Sequence, residues 1–278
     1  MSRLVVHDDA EHELGGAVPS PAAAFLLSMI ALPALFWLIT LKRTVTGGST
    51  VPEEWLMNTV VVPIHDWVAA NVPILDTFII GISALGSGWF VALAFAALGL
   101  LALSRGRRDL AFLLALGTLC FPMEWALKYF TSAEAIDLAT LVGALFDVNG
   151  IGLDDIADFP AGHALRATVL YGLAAFCVAR LAHDQRQGMV AYGVAAVLIG
   201  AISATRLYLG AHYPIDVVGG WIAGGALLAI LVAVHVLRVD ERAHERDRVR
   251  GRPAQRRVAV PRRTSAAAAG EPTEPIEG

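Results

Sequence analysis

Six long apolar stretches limit how this chain can fold more than any other feature. Each has about 20 residues with few charges, the length that an α-helix needs to cross a bilayer. With 56% hydrophobic residues and a mean hydropathy of +0.61, the chain has more apolar surface than a soluble core can bury. The sequence therefore predicts an all-α integral membrane bundle of six transmembrane helices, at residues 22–41, 78–103, 110–130, 164–182, 189–209 and 214–237.

Basic residues predict how these helices are oriented. Arginines follow the second, fourth and sixth stretches, namely Arg105, Arg107 and Arg108, then Arg180 and Arg186, then ten arginines within residues 238–263. Because basic loops stay in the cytoplasm, these three segments and, with an even number of spans, both termini are predicted to be cytoplasmic. Lys42 and Arg43 follow the first stretch on the opposite side, where we expect them to snorkel at the interface.

The same distribution divides the chain into three parts. We expect a cytoplasmic N-terminal tail at 1–21, a six-span membrane domain at 22–238, and a basic disordered cytoplasmic tail at 239–278. The basic tail suits the anionic lipids of the inner leaflet, and its charge does not indicate nucleic acid as a partner. No pattern indicates an oligomeric state.

Residues 44–76 and the two cysteines carry weaker signals. We expect a short surface helix starting near Pro52, with tryptophans at the membrane interface. His65 and Asp66 are interpreted as interfacial residues and not as a catalytic pair, since adjacent residues on a helix do not face each other and Pro63 is expected to interrupt the helix. Cys120 and Cys177 lie inside apolar stretches and are predicted to pack without a disulfide.

Three polar clusters are predicted to meet at the outer ends of the helices. They are Glu124 to Lys128 at the outer end of the third stretch, residues 159–163 before the fourth, and residues 203–216 where the fifth ends and the sixth begins. Ionisable groups beside spanning helices are costly, so a functional role is the first hypothesis. The grouping at one water interface favours a binding or catalytic site over a conduction path.

The cluster at 203–216 contains a cation, an imidazole and a carboxylate. Pro214 suits the first position of a helix, which places Asp216 in the first turn, where the helix dipole favours a carboxylate. Asp216 can then accept a hydrogen bond from one ring nitrogen of His212 and leave the other nitrogen as a nucleophile, with Arg206 holding a phosphate. The alternative is an interfacial histidine and a helix-capping aspartate without chemistry.

The other two clusters are less specific. Gly162 lets the backbone approach a ligand, the free amides at a helix start favour an anion, and His163 would reach the same anion. By itself this segment is usually only the start of a helix. Glu124 and Lys128 are spaced i,i+4, so a simple snorkelling ion pair is an open alternative.

Together these residues resemble the three-part signature of the type 2 phosphatidic acid phosphatase family, membrane lipid phosphatases related to vanadium haloperoxidases. The matching residues are Lys128, then Pro160-Ala161-Gly162-His163, then Thr205-Arg206 with His212 and Asp216. Their order and membrane side agree over residues 22–238, so the resemblance implies a phosphatase-like domain there. The resemblance implies that His212 attacks phosphate to form a phosphohistidine, Asp216 orients it, and His163 protonates the leaving group.

The resemblance also implies the substrate contacts. Lys128 and Arg206 would neutralise the oxygens of the transferring phosphoryl group, with Gly162 and Ala161 at the helix start. No metal or other cofactor is expected, because the cations and helix amides take its place. The acidic residues of the segment 131–159 fit no EF-hand pattern, and we interpret this segment as an outer lid.

Two departures from the family pattern affect the predicted site. Ala135 and Ile136 stand where the family usually has Arg-Pro, and Ala161 stands where it has serine. Arg166, three residues after His163, is a candidate replacement that would bind the phosphate. Its alternative partner is an acid of the outer loop, such as Asp155 or Asp158.

The sequence thus predicts a multi-pass cell-membrane enzyme with its site on the outer face. Its expected substrate is a lipid phosphate or diphosphate: polyprenyl diphosphate, phosphatidate or phosphatidylglycerol phosphate. A lipid-linked phosphotransferase using the same site is one alternative, because a phosphohistidine is indifferent to its acceptor. A catalytically weak lipid-binding membrane protein is the other.

Overall fold

In the part of the chain that the structure describes, residues 21–44, 51–131, 159–182 and 184–251, every regular element is a helix. The structure is a computed structural model. The helices are α1 (Pro21–Thr44), α2 (Val51–Leu56), α3 (Val62–Asn71), α4 (Pro73–Ala84), α5 (Gly88–Ser104), α6 (Arg108–Gly117), α7 (Cys120–Thr131), α8 (Gly162–Leu181), α9 (Gln185–Tyr208) and α10 (Pro214–Gly251). The chain divides into two units, Met1–Arg238 and Val239–Gly278. All site residues considered below lie in the first unit.

The predicted all-α membrane class is confirmed. Four segments are long and apolar enough to cross a membrane, namely α6 with α7, α8, α9, and α10 as far as Arg242. The second predicted span is broken, because α4 and α5 meet at a 54° bend; counted as one span, this pair brings the number to five. The first predicted stretch is also helical, although the apolar part found in α1, Met29–Thr40, is shorter than a full span.

The segment between α1 and α4 is more helical than predicted. We expected a short helix interrupted at Pro63, whereas α2 and α3 are joined by a π-helical turn, Met57–Val61. In that turn the Val62 amide donates to the Met57 carbonyl, so the hydrogen bonds shift by one residue just before the proline, which has no amide hydrogen to donate. Trp55 and Trp67 are 61% and 62% exposed, as expected of residues at a membrane interface.

The prediction that His65 and Asp66 do not face each other was wrong. His65 Nδ1 lies 3.2 Å from Asp66 Oδ1, and its Nε2 lies 3.8 Å from Asp76 Oδ1 on α4. The Tyr208 hydroxyl donates to the same Asp76 oxygen at 3.1 Å. Long side chains can thus meet at the helix surface even where their Cβ atoms diverge, and here they join α3, α4 and α9.

Helix α8 lies at the centre of the bundle. Every residue from 159 to 170 is buried, and α8 packs against α5, α6, α7 and α9. Its buried apolar side chains, Leu165, Val169, Leu170, Leu173 and Phe176, belong to the main hydrophobic cluster. A helix apolar on most of its circumference is stable only inside such a bundle. The first turn of α8 therefore brings its polar residues into a buried position.

Two glycines four residues apart let α10 approach α8 closely. A Cβ on Gly220 would lie 2.7 Å from the Ala161 carbonyl oxygen, and one on Gly224 would lie 2.7 Å from the Leu165 carbonyl oxygen. Small residues at this spacing are common where membrane helices cross, because they let the backbones touch. The close crossing positions the first turn of α10 beside the first turn of α8.

Adding a methyl group at this crossing should destabilise the bundle. Gly224→Ala is expected to lower the free energy of unfolding by about 1–3 kcal/mol, because the new Cβ overpacks against α8. Gly225→Ala is the matched control, since a Cβ there meets nothing within 4 Å and only gains helix propensity. Thermal unfolding in detergent micelles measures both variants. Equal midpoints for the two would contradict the proposed crossing.

Candidate active site

The break between α4 and α5 holds two of the site arginines. Arg206 Nη1 donates to Ser83 Oγ at 3.1 Å, and Arg166 Nε donates to the Gly86 carbonyl oxygen at 3.2 Å. Carbonyl groups at the end of a helix lack intrahelical partners and carry partial negative charge, which suits a guanidinium. The interrupted span therefore supplies acceptors for cations inside the bundle. The sequence signal was Gly81, Gly86 and Gly88, small residues that interrupt the start of the second apolar stretch.

The end of α9 directs the chain from Arg206 to His212. The amide of Gly210 donates to the Leu207 carbonyl at 3.0 Å, and that of Ala211 donates to the Arg206 carbonyl at 3.1 Å, which is a Schellman motif. Gly210 has φ +67°, a left-handed conformation that glycine adopts without strain. The helix therefore stops just after Arg206, and His212 lies in the following turn, half-buried.

Asp216 caps the start of α10, in the first turn as predicted. Its Oδ2 accepts a hydrogen bond from the Tyr213 amide at 2.9 Å, the pattern of a capping box. Glu53 of α2 accepts from the Ile215 amide at 2.9 Å and satisfies another amide of the same turn. Asp216 is fully buried at 0% exposure. The carboxylate is thus held in one place beside the turn that carries His212.

The turn before α8 is attached to both α10 and α7. The Ala161 amide donates to the Asp216 carbonyl at 2.9 Å, and the Thr131 hydroxyl donates to the Phe159 carbonyl at 2.8 Å. A Cβ on Gly162 would collide with the Glu124 carboxylate. We had expected Gly162 to let a ligand approach the backbone; its open side instead accommodates Glu124.

Glu124 and Arg166 form a buried ion pair. Arg166 Nη1 donates to Glu124 Oε2 at 2.5 Å, and the two residues are 2% and 3% exposed, respectively. Glu124 Oε1 also lies 3.6 Å from Lys128 Nζ, so the predicted i,i+4 pair exists, but in a buried setting and not as a snorkelling surface pair. Arg166 Nη2 lies 3.4 Å from His163 Nδ1. One carboxylate therefore orients two cations around His163.

His163 is the meeting point of the cluster. It is 5% exposed, and the charges of Arg206, Arg166 and Lys128, together with His212, act on its ring. Its Nε2 is buried and has no hydrogen-bond partner among the described residues. Buried polar atoms normally have partners, so this nitrogen is suited to a ligand. Two imidazoles beside fixed cations can bind an oxyanion such as phosphate. One imidazole can then attack the central atom while the other exchanges a proton with an oxygen.

The structure therefore places the predicted site residues where α7 and α9 end and where α8 and α10 begin. Arg166 differs from prediction: its carboxylate partner is Glu124, which was in neither of the two alternatives. Asp155, Asp158, Ala135 and Ile136 lie outside the described residues. Ser83 and Gly86 contact the site arginines, and Glu53 accepts from the amide of Ile215, next to Asp216; these contacts were not predicted. In the described parts of the chain, no group of three or more His, Cys, Asp or Glu residues is arranged to hold a metal ion.

Residues 130–240 match the model of the PAP2 superfamily. The predicted family resemblance is thus confirmed. The matching region contains the second and third motifs. It begins two residues after Lys128 and includes Ala135 and Ile136, where the first motif departs from the family pattern.

A known protein and a solved structure, both from Bacillus subtilis, resemble the chain. Phosphatidylglycerophosphatase B of strain 168 is 36% identical over 75 residues, which is 27% of this chain and only 36% of that protein's length. The crystal structure of a transmembrane PAP2-type phosphatidylglycerolphosphate phosphatase has a TM-score of 0.53 and 20% identity, covering 80% of this chain and 96% of that one. At this identity the structural match shows a shared fold, which is that of a multi-pass membrane protein.

Proposed function

We propose that the protein is a membrane phosphatase that hydrolyses a lipid phosphate or diphosphate through a phosphohistidine. The observation that carries this proposal is the buried convergence of Lys128, His163 and Arg206 beside His212 and Asp216. The PAP2 match and the relatives named as phosphatidylglycerophosphatases support the same reaction class.

In the first step, His212 attacks the phosphorus atom. A phosphorus–nitrogen bond forms while the bond to the leaving oxygen breaks, and the electron pair of that bond remains on the leaving oxygen. Lys128 and Arg206 neutralise the phosphoryl oxygens, which is where such a transition state accumulates charge. Asp216 orients His212, and His163 gives a proton from Nε2 to the leaving oxygen, which departs as the alcohol or as the lipid phosphate.

In the second step, water attacks the phosphohistidine. The new phosphorus–oxygen bond forms as the phosphorus–nitrogen bond breaks, the water proton passes to a phosphoryl oxygen, and orthophosphate leaves. The amides of the first turn of α8 add positive potential at the same point, because the start of a helix favours anions. The residues of the chain supply the required charge, so we propose no metal or other cofactor.

The amphiphilic surroundings favour a lipid substrate. The cluster lies at helix ends, and the helix sides below it expose large apolar residues such as Phe78, Leu93 and Val197. Such surfaces are expected to face acyl chains in a bilayer. A lipid can therefore present its head group to the cluster while its chains stay in the membrane.

Purified protein should release orthophosphate from a lipid panel in the presence of EDTA. The panel contains phosphatidylglycerol phosphate, phosphatidate and a polyprenyl diphosphate in mixed micelles. His212→Ala is expected to reduce the rate by at least about a thousandfold, because it removes the nucleophile. His65→Ala is the control, since His65 lies on α3 outside the cluster.

Other outcomes identify the alternatives. Phosphoryl transfer to an added alcohol in place of water would favour the lipid-linked phosphotransferase. If the wild-type protein binds the lipids of the panel but releases no orthophosphate from any of them, the enzyme proposal is wrong and a lipid-binding protein is favoured.

We further propose that the site faces the outside of the cell and both termini face the cytoplasm. Successive helices run in opposite directions, so the site and the basic loops at Arg105–Arg108 and Arg180–Arg186 lie at opposite ends of the bundle. Since basic loops remain cytoplasmic, the site end is the outer one.

Cysteine labelling tests this orientation. In a background with Cys120→Ala and Cys177→Ala, an impermeant maleimide should label Ala211→Cys in intact cells. Gln187→Cys lies at the opposite end of α9 and is exposed, so it should react only after permeabilisation. The reverse labelling pattern would overturn the proposed orientation.

A further inference from the structure

The turn that carries His212 is fixed differently at its two ends. At the α9 end, the amides of Gly210 and Ala211 donate to carbonyls of α9 itself. At the α10 end, the carboxylate of Asp216 accepts from the Tyr213 amide. The first amides of a helix have no partner within that helix, so the start of α10 needs further acceptors. The position of the turn depends on where these acceptors come from.

One amide of the first turn of α10 is bound by a distant residue. Pro214 has no amide hydrogen to donate. The amides of residues 216 and 217 donate to the Tyr213 carbonyl at 3.0 and 3.3 Å. The Ile215 amide instead donates to Glu53 Oε1 at 2.9 Å, across 162 residues of sequence. This acceptor is therefore supplied by the tertiary structure and not by the local sequence.

Glu53 differs from the rest of its own helix. Among the six residues of α2, all of which the structure describes, Glu53 alone is not exposed. Val51 and Trp55 of the same helix are 80% and 61% exposed. An acidic residue in a first turn is ordinarily explained by the dipole of its own helix, and the exposed Glu54 can serve that purpose in α2. Glu53 is directed at the start of another helix.

We propose that Glu53 is a positioning residue for the nucleophile. This inference rests on the proposed phosphatase function and adds a residue to it. By binding the Ile215 amide, Glu53 fixes the start of α10 and, three residues earlier in the chain, His212. In-line attack requires the ring nitrogen at one position relative to phosphorus, and a displacement of about 1 Å can lower the rate about a hundredfold.

The cations that bind the phosphoryl group are held by other residues. Lys128 Nζ lies 3.6 Å from Glu124 Oε1, and Arg206 donates to Ser83 Oγ at 3.1 Å. Neither contact includes Glu53 or the first turn of α10. Loss of the Glu53 hydrogen bond should therefore lower kcat and leave KM nearly unchanged, because it alters the attack and not the binding of substrate.

Two substitutions separate the reach of the side chain from its charge. Glu53→Gln keeps the length and an oxygen acceptor but removes the charge, and its kcat should stay close to that of the wild type. Glu53→Asp keeps the charge but is one methylene shorter, so its kcat should fall about tenfold to a hundredfold at unchanged KM. Glu54→Asp is the matched control, because it makes the same change in the same turn at an exposed residue.

Orthophosphate release from the panel lipid that wild-type protein hydrolyses fastest measures these variants. An active Glu53→Asp with an impaired Glu53→Gln would overturn the proposal, since charge and not the hydrogen bond would then matter. Equal kcat values for wild type and Glu53→Asp would also overturn it, as would a loss confined to KM.

Hydrogen–deuterium exchange tests the bond without substrate. In protein labelled with nitrogen-15 isoleucine, the Ile215 signal is identified by its loss in Ile215→Val. This amide should exchange slowly in wild type and Glu53→Gln, and at least about tenfold faster in Glu53→Asp. Equal rates in wild type and Glu53→Asp would refute the positioning role. Absence of phosphate release by the wild type would refute the proposed function, and the exchange rates would still decide whether Glu53 holds the turn.

Discussion

The ion pair between Glu124 and Arg166 is the interaction on which the geometry of this bundle depends most. A charge among apolar helices must be paired, because its desolvation costs several kcal/mol even after relaxation. Arg166 lies in the first turns of the most buried helix, so its partner must come from a neighbouring helix and must fit without a gap. Glu124 meets this requirement only because residue 162 has no side chain.

Around this ion pair, the rest of the site is formed by groups at the ends of helices and not by groups along their sides. The break between α4 and α5 turns Ser83 and the Gly86 carbonyl toward the arginines, the Gly210 turn ends α9 beside His212, and the capping box holds Asp216. Each of these is a place where regular hydrogen bonding stops and free polar groups become available. An apolar bundle can thus support a polar site at its rim without leaving many buried groups unsatisfied.

Much of this could be predicted from the sequence, for identifiable physical reasons. Bilayer thickness sets the length of a spanning helix, so apolar stretches locate the helices without knowledge of their contacts. Because neighbouring spans alternate in direction, the motifs around Lys128, His163 and Arg206 were expected at one end of the bundle. Both expectations needed only chain order and periodicity.

The partners of the site residues could not be predicted in the same way. Glu124 and Arg166 are 42 residues apart, and their pairing depends on how two helices are rotated about their axes. The bend after Ser83 was visible only as a group of small residues, whose effect depends on neighbouring helices. The prediction that Pro63 interrupts the helix was wrong, because a π-helical turn before it accommodates the proline.

The central claim is that one phosphoryl group is held between His212, His163 and the cations Lys128 and Arg206. An experimental structure with bound vanadate, which imitates a phosphoryl group in transfer, tests it most directly. The account predicts vanadium bonded to a His212 ring nitrogen, oxygens contacted by Lys128 and Arg206, and His163 Nε2 at the oxygen opposite His212, with Arg166 still paired to Glu124. Vanadate bound away from His212, or bound directly by an Arg166 released from Glu124, would contradict it.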